Sequence, residues 1–290
     1  MKSDNNIDLK LTLLVIIALF SLSTNPVLCR MAMISGKTDP VSFTILRILS
    51  GAVFLFLLNY FKHKNFALNP KTSWLSAFML FLYAITFSYS YVDMPAGIGT
   101  LILFAVVQLS MILMALFYKE KLTPRKTIGM ILAFCGLVYL LYPKEDFSLS
   151  FYHSFLMIIS GIAWAFYTIL GKKSKDAFLN TKDNFLKASV FTIIFALIFV
   201  QNITFDSYTL FLAIFSGVVT SALGYIIWYA VLPKMQILTA GIIQLFAPVI
   251  SIIIGMIFLN ESFTITLFLS TSTIILGIFI AIFSNKKSKN

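Results

Sequence analysis

The chain has 290 residues, of which 59% are hydrophobic and 11% are charged, and its mean hydropathy is +0.94. No soluble core can bury that much apolar surface, so the composition predicts a protein that crosses the membrane many times. The formal net charge of +11 would suggest nucleic acid as the partner of a soluble protein, but these cations lie between apolar runs, where they set membrane orientation. We therefore expect the lipid bilayer as a partner and no nucleic acid.

The chain begins with Lys2 and Lys10 ahead of an apolar run, a pattern similar to a secretory signal peptide. The residues after Leu22 offer no small-x-small cleavage site in a suitable place, so we expect this run to remain as the first membrane helix. Cys29 and Cys135 both lie in apolar runs without a second Cys or a His nearby. We therefore expect no bound metal, no cofactor and no disulfide framework.

Ten apolar runs approach the roughly 20 residues that a helix needs to cross the hydrocarbon. They cover residues 10–31, 41–61, 73–91, 96–118, 124–141, 152–171, 185–201, 208–231, 239–259 and 263–284. A polar turn at 142–151 separates the first five runs from the last five. The predicted fold is therefore an all-α integral membrane protein with ten transmembrane helices in two five-helix halves, 1–142 and 152–290. Because five is odd, the second half must be inverted relative to the first.

An internal repeat supports this division into halves. In each copy an apolar run ends at a lone Glu, and a Thr three positions later is suited to cap the next helix. The copies match at a constant separation of 141 positions, as from 110 to 251: Ser110 with Ser251, Phe117 with Phe258, Glu120 with Glu261, Thr123 with Thr264 and Gly136 with Gly277. We interpret both Glu residues as markers of helix ends.

The positions of the cations predict the orientation of the chain. Four basic residues of the first copy, Lys119, Lys121, Arg125 and Lys126, are replaced by uncharged residues in the second copy. If the N-terminus is inside, inner loops hold most of the cations, Lys182 among them, and outer loops hold only Lys37 and Lys144, with Arg30 near a helix end. This asymmetry predicts opposite orientations for the two copies and cytoplasmic termini, in the inner membrane of a bacterium.

The order, spacing and topology of these features resemble the EamA-type family of the drug/metabolite transporter superfamily over nearly the whole chain. The resemblance rests on the Glu-x-x-Thr endings of the fourth and ninth runs, on Pro248 ahead of Glu261 and on Arg47 early in the second run. Val107 occupies the first-half position that matches Pro248, so the first half departs from the pattern. The resemblance implies passage of small metabolites, amino acids or drug-like molecules by alternating access, through a cavity between the halves.

Ionisable groups inside a span are costly in lipid and are the first candidates for substrate contacts. Arg47 lies about 10 Å into the second run, at 1.5 Å per residue, and Arg30 lies near the end of the first. Each either holds a substrate carboxylate or phosphate or reaches the outer head groups, and Arg47 could instead pair with Asp39 or Asp93. No Asp or Glu is expected near the middle of a span.

Uncharged polar residues predict a cavity lined by the fourth and ninth runs. In the ninth run, small or polar residues at steps of three and four share one face, which serves either a cavity or close helix packing: Gly241, Gln244, Pro248, Ser251 and Gly255. In the fourth run a comparable face consists of Thr100, Phe104, Gln108 and Met111. Gln244 favours the cavity interpretation, and we expect Gln108 to lie across the pseudo-two-fold axis from it.

The first run is unusually polar around Pro26. The neighbouring polar residues are Ser21, Ser23, Thr24 and Asn25. Their side chains either satisfy the backbone group that Pro26 frees, or the helix is discontinuous there and its exposed backbone meets the substrate.

Aromatic residues supply candidate walls for a flat or cationic group. Those predicted to line the cavity are Tyr83, Tyr89, Trp164 and Tyr167. In the eighth run Tyr225, Trp228 and Tyr229 share a face, and Trp228 and Tyr229 suit either the cavity or an aromatic belt at the membrane interface.

Together these residues favour a secondary transporter of a small, amino-acid-like metabolite that is anionic or zwitterionic. Arg47 and Arg30 would neutralise the anion, and Asn25, Gln108 and Gln244 would orient it. The resemblance also leaves open a carrier of nucleotide-derived or cationic metabolites such as S-adenosylmethionine or choline, a lipid-linked substrate flippase, and assembly as a homodimer. The runs hold neither a phosphate-binding loop nor a nucleophile with a base, so an enzyme is not expected.

Overall fold

A computed structural model describes residues 9–64, 72–117, 124–142, 149–172, 174, 176–199, 203–235, 237–244 and 246–282. Glu120 and Thr123 of the predicted repeat, and residues 143–148 of the predicted polar turn, lie outside the described residues.

The described residues form helices and connections, with no strand among them. The first half contains α1 (Leu9–Ile34), α2 (Pro40–His63), α3 (Trp74–Ser90), α4 (Ala96–Phe117) and α5 (Pro124–Leu141). The second half contains α6 (Phe151–Lys172), α7 (Ala177–Phe199), α8 (Ser207–Phe215), a π-helical segment (Ser216–Leu223), α9 (Gly224–Val231), a 3-10 turn (Leu232–Lys234), α10 (Ile237–Gln244), α11 (Phe246–Leu259) and α12 (Ile265–Ile282).

Five of the described helical stretches are long and apolar enough to cross a membrane: Leu9–Ile34, Pro40–Lys62, Ala96–Met114, Phe151–Lys172 and Ser207–Lys234. Four shorter apolar helices accompany them. The eighth predicted span corresponds to α8, the π-helical segment and α9, which follow one another directly, and the ninth corresponds to α10 and α11. The predicted all-α membrane fold of ten spans is confirmed.

The contacts between the halves follow a two-fold pattern. Helices at equivalent repeat positions pack against each other: α5 against α12, α2 against α7, and α4 against α10 and α11. The first and third spans of each half instead pack against each other's equivalents. Helix α3 packs against α6, the equivalent of α1, and α1 packs against the π-helical segment and α9, which belong to the equivalent of α3. This exchange is the arrangement that two inverted five-helix repeats produce around a pseudo-two-fold axis.

The seventh span begins earlier than predicted, and the difference changes the charge distribution. Because α7 starts at Ala177, Lys182, Asp183 and Lys187 lie inside the helix and are buried. The assignment of Lys182 to an inner loop is therefore wrong, and Asp183 is a carboxylate inside α7, about two turns from its start. Lys182 Nζ lies 3.1 Å from Asp183 Oδ1, and Thr72 connects the group by donating to Asp183 Oδ2 at 2.8 Å and accepting from Lys187 Nζ at 2.6 Å. Mutual pairing makes such burial tolerable.

Helix α1 runs unbroken through Pro26, so the alternative in which the first helix is discontinuous is wrong. The hydroxyls of Ser21, Ser23 and Thr24 each donate to the carbonyl one turn earlier in the same helix, at 2.6 to 3.0 Å. Asn25 takes no part in this local bonding, and its side chain is directed at the second half instead.

Candidate functional site

Arg47 is the central charged group of the buried region between the halves. It lies about two turns into α2, and its side chain is 0% exposed. Its Nε donates to Ser221 Oγ at 3.0 Å, and its Nη2 donates to the hydroxyls of Tyr225 at 3.0 Å and Tyr83 at 3.4 Å. Since these partners are neutral and the side chain is enclosed, the alternatives in which Arg47 reaches the head groups or pairs with a loop carboxylate are wrong.

One nitrogen of the Arg47 guanidinium, Nη1, has no hydrogen-bond partner among the described residues. The guanidinium Cζ lies 5.4 Å from the ring centroid of Tyr83 and 5.2 Å from that of Phe87, while Nη1 is buried. Leaving a charged donor buried and unpaired is costly. Nη1 is thus placed to donate to an acceptor on a bound ligand, for which a carboxylate or phosphate oxygen is best suited.

Asn25 joins α1 to the same group of residues. Its Oδ1 accepts from Ser216 Oγ at 2.5 Å and from Thr220 Oγ1 at 3.2 Å, and its Nδ2 donates to Ser221 Oγ at 3.2 Å. Ser221 therefore contacts both Asn25 and Arg47. The arrangement supports the prediction that Asn25 lies in the central site, although its amide is engaged with protein groups in this structure.

The π-helical segment supplies most of these partners. Its wider turn directs Ser216, Thr220 and Ser221 toward α1 and α2, and π-helical turns often mark functional sites. Gly217 allows the close approach, because a Cβ at this position would overlap the Arg47 carbonyl and the Ser50 hydroxyl. The backbone of the second half is thus in direct contact with the helix that carries the guanidinium.

Aromatic rings surround the phenol groups that bind Arg47. The ring centroid of Trp164 lies 4.9 Å from those of Tyr83 and Tyr225 and 5.6 Å from that of Tyr167. All four side chains are at most 3% exposed. Tyr83 of α3 and Trp164 and Tyr167 of α6 thus form one buried cluster of rings, which Tyr225 of α9 joins.

Trp164 also connects this wall to the two predicted glutamines. Its Nε1 donates to Gln244 Oε1 at 2.8 Å. Gln108 lies against Gly241, one turn before Gln244, because a Cβ at position 241 would overlap the Gln108 amide. Both glutamines are 1% exposed, and neither amide atom of Gln108 has a partner in the described part of the chain. Gln108 can therefore offer a donor and an acceptor to a ligand.

The polar face of the ninth span packs against α4 at some positions and meets the aromatic cluster at another. All five of its residues are buried. Ser251 bonds Thr100 of α4 at 2.9 Å, and Gly255 makes room for Glu261, so these two positions serve packing. Gln244 bonds Trp164 of the aromatic cluster and stays a candidate site residue.

Three of the predicted residues do not join the central group. Arg30 is half-buried near the end of α1, where its Nη1 donates to the carbonyls of Tyr91 and Val92 at 2.9 and 2.7 Å and so caps the end of α3. Tyr89 is half-buried outside the ring cluster. Trp228 is fully buried and its Nε1 lacks a partner within the described residues, so the interfacial-belt interpretation of Trp228 is wrong.

The polar residues of the π-helical segment were not predicted as site residues. In an α-helix, Ser216, Ser221 and Tyr225 would not share one narrow face, because they are separated by five, four and nine positions. The only available signal was the cluster of small polar residues within an otherwise apolar span.

Comparison with known proteins identifies the family. The model of the EamA-like transporter family matches residues 9–142 and again residues 152–283. The chain belongs to the EamA-like transporter family. The site described above therefore lies at the interface of the two matched repeats of a multi-pass membrane transporter.

Several relatives span most of the chain. An uncharacterized protein of Pseudomonas aeruginosa is 36% identical over 254 residues, covering 88% of both chains. An uncharacterized transporter of Archaeoglobus fulgidus is 25% identical over 84% of this chain and 89% of its own, and the uncharacterized transporter YoaV of Bacillus subtilis is 22% identical over 86% and 89%. One crystal structure is similar with a TM-score of 0.68 at 16% identity, over 94% of this chain and 96% of the other. At that identity the structural likeness concerns the fold alone.

Proposed function

We propose that this transporter is a secondary carrier that moves a small organic anion or zwitterion by alternating access. The observation that carries the proposal is the buried Nη1 of Arg47, an unpaired cationic donor at the interface of the halves. In such an enclosed site, a carboxylate that accepts from Nη1 gains far more than it would in water, because the local dielectric is low.

The surroundings of Arg47 suggest how the rest of the substrate binds. The rings of Trp164, Tyr83 and Tyr225 offer apolar faces, which suit an aliphatic or flat portion and can also receive an ammonium group. The unpaired amide of Gln108 can recognise a second polar group. A substrate with an acidic end, an apolar middle and a polar neutral or ammonium end would satisfy all three.

A purely cationic substrate is less well supported. The charged side chain at the centre of the site is Arg47, and the described residues place no Asp or Glu among its hydrogen-bonding partners. A permanent cation would therefore be repelled unless it also carried an anionic group. A zwitterion meets this requirement.

Transport follows from movement of the halves 1–142 and 152–290 relative to each other around the site. The site residues come from both: Asn25, Arg47, Tyr83 and Gln108 from the first half, and Trp164, Ser221, Tyr225 and Gln244 from the second. Rocking of one half would thus carry its share of the ligand contacts away and expose the substrate to one side. We place the termini in the cytoplasm and the protein in the bacterial inner membrane, on the basis of the cation distribution.

A flux screen in proteoliposomes tests the proposal. Labelled amino acids, organic acids, nucleotide-derived metabolites and quaternary amines would be assayed for uptake, with and without a pH gradient. We expect uptake of at least one anionic or zwitterionic compound, reduced in Arg47→Gln and unchanged in Arg125→Gln, a control at an exposed arginine of α5. Uptake confined to cations, with Arg47→Gln as active as wild type, would contradict the proposal.

A further inference from the structure

Glu261 makes a contact between the halves that its position at a helix end did not predict. Its Oε1 accepts from the backbone N–H of Ala96 at 2.6 Å, and its Oε2 accepts from that of Gly97 at 3.2 Å. These are the first two residues of α4, in the other half of the molecule. A carboxylate at a helix N-terminus satisfies otherwise unpaired donors and interacts favourably with the helix dipole.

A tight turn aims the Glu261 carboxylate at α4. Asn260 has a φ of 52°, in the left-handed region, and the Glu261 N–H donates to the Gly255 carbonyl at 3.3 Å. This bond reaches back six positions after a left-handed residue and closes the C-terminal end of α11, and Asn tolerates the left-handed position better than most residues. The helix ending thus holds Glu261 beside Gly255, where a Cβ would lie 2.7 Å from Oε2.

The contact extends from Glu261 along both helices toward the central site. A Cβ at Gly97 would lie 2.6 Å from Ile252 Cγ1, so α4 and α11 are in close contact there. One turn further, the hydroxyls of Thr100 and Ser251 lie 2.9 Å apart. Beyond them α4 carries Gln108 of the site. We call this set of contacts the α4–α11 closure. It consists of Glu261 with Ala96 and Gly97, Gly97 with Ile252, and Thr100 with Ser251.

We infer that the α4–α11 closure is the gate at the end of the bundle opposite to the start of α1 and the end of α12, and that the Glu261 carboxylate is its latch. The inference rests on the proposed alternating-access function. Any movement that opens this end must separate helices of different halves, and therefore must break both hydrogen bonds of the carboxylate. A cavity of about 350 Å³ lies beside Glu261, between α4 and α11, so water can replace these bonds when the helices part.

A second contact at the same end is consistent with this assignment. The Asp39 carboxylate, which caps α2 in the first half, accepts from the Thr204 hydroxyl of the second half at 3.0 Å. The Lys37 ammonium also lies 3.3 Å from Asp206 Oδ2 in an exposed ion pair. Exposed pairs contribute little, so the helix-capping carboxylate Glu261 is the stronger restraint.

A disulfide between the helices tests the gate. The Oγ separation of 2.9 Å between Thr100 and Ser251 makes Thr100→Cys with Ser251→Cys a suitable pair, in a background carrying Cys29→Ala and Cys135→Ser. We expect oxidation to link the pair and stop uptake, and reduction to restore it, with each single cysteine variant as control. Full uptake by a quantitatively linked protein would show that this closure does not open.

Thiol labelling tests the latch without any substrate. Ile98→Cys, in the same background, places a thiol at a buried position of α4 that lines the cavity beside Glu261. Adding Glu261→Gln replaces one carboxylate oxygen by an amide NH2, which cannot accept from the facing backbone N–H. We expect a membrane-impermeant reagent to label the thiol roughly tenfold faster or more in this variant, because loss of one charge-assisted hydrogen bond shifts an equilibrium by that factor. Glu261→Asp should give an intermediate rate.

The control is Asp176→Asn, which alters an exposed carboxylate that caps its own helix within the second half. Equal labelling rates for Glu261→Gln and Asp176→Asn would overturn the latch. Because labelling needs no transported compound, its failure is distinguishable from failure of the proposed substrate class.

Discussion

Replacing Arg47 by Gln should weaken binding of an anionic substrate far more than binding of its neutral analogue. The guanidinium keeps Nη1 for the ligand, while Nε and Nη2 bond Ser221, Tyr225 and Tyr83. A buried hydrogen bond to a charged group contributes about 1.5–3 kcal/mol, and 1.4 kcal/mol is a factor of ten, so the apparent Kd should rise by about tenfold to a hundredfold or slightly more. The neutral amide of the same substrate should lose less than about threefold.

The assay is equilibrium binding to detergent-purified protein, with the carboxylate and its amide measured in parallel. Arg47→Lys keeps the charge but loses the planar fork, so it should recover part of the affinity for the carboxylate. Thermal unfolding of each variant identifies any loss of folded protein, because Tyr225 and Ser221 lose their hydrogen bonds to Arg47 when it is replaced. If Arg47→Gln weakened both ligands equally while remaining folded, direct recognition of the anion by Arg47 would be refuted.

Three further predictions concern packing and pH. Gly217→Ala should lower the free energy of unfolding by about 1–3 kcal/mol, because its Cβ overlaps the Arg47 carbonyl; an unchanged melting temperature would contradict this contact. Trp164→Phe should cost about 1–3 kcal/mol by leaving Gln244 Oε1 without its donor, measured by the same unfolding assay. The Thr209 N–H and Lys37 hold the pKa of Asp206 below its usual range; Asp206→Ala should therefore be less stable than wild type at neutral pH, and the gap should close as pH falls through the lowered pKa. A gap that persisted after Asp206 had been protonated would point to lost packing instead.

The membrane fold could be predicted because the length of each apolar run and the positions of the cations can be read from short segments of the sequence. The error at α7 shows the limit of that signal. Lys182, Asp183 and Lys187 make the start of this helix look like a loop in any hydropathy average, yet all three are buried, and Asp183 and Lys187 bond Thr72 of the other half. Pairing between distant segments is invisible to a count of apolar residues along one segment.

The candidate site was predictable in part for the same reason. Arg47, Asn25 and Trp164 stand out as polar or large groups within apolar runs, and the structure brings them together. Arg30 stands out equally, but it bonds the carbonyl groups at the end of α3. Which of the two arginines of α1 and α2 faces the centre depends on the rotation of each helix, which packing determines.

Other features depended on local backbone geometry that residue types do not reveal. The π-helical turn rotates Ser221 toward Arg47, and no residue in that segment demands such a turn. The left-handed Asn260 turns Glu261 back across the interface, whereas the repeat pattern alone suggested only a helix end. Both features place the second half in direct contact with the first.

The most direct test of the proposed function is the ratio of initial uptake rates for an anionic substrate and its neutral amide in proteoliposomes. Wild-type protein should favour the anion, and Arg47→Gln should reduce that ratio by about tenfold or more while Arg125→Gln leaves it unchanged. An unchanged ratio in folded, reconstituted Arg47→Gln would contradict the claim that Arg47 holds the substrate's anionic group.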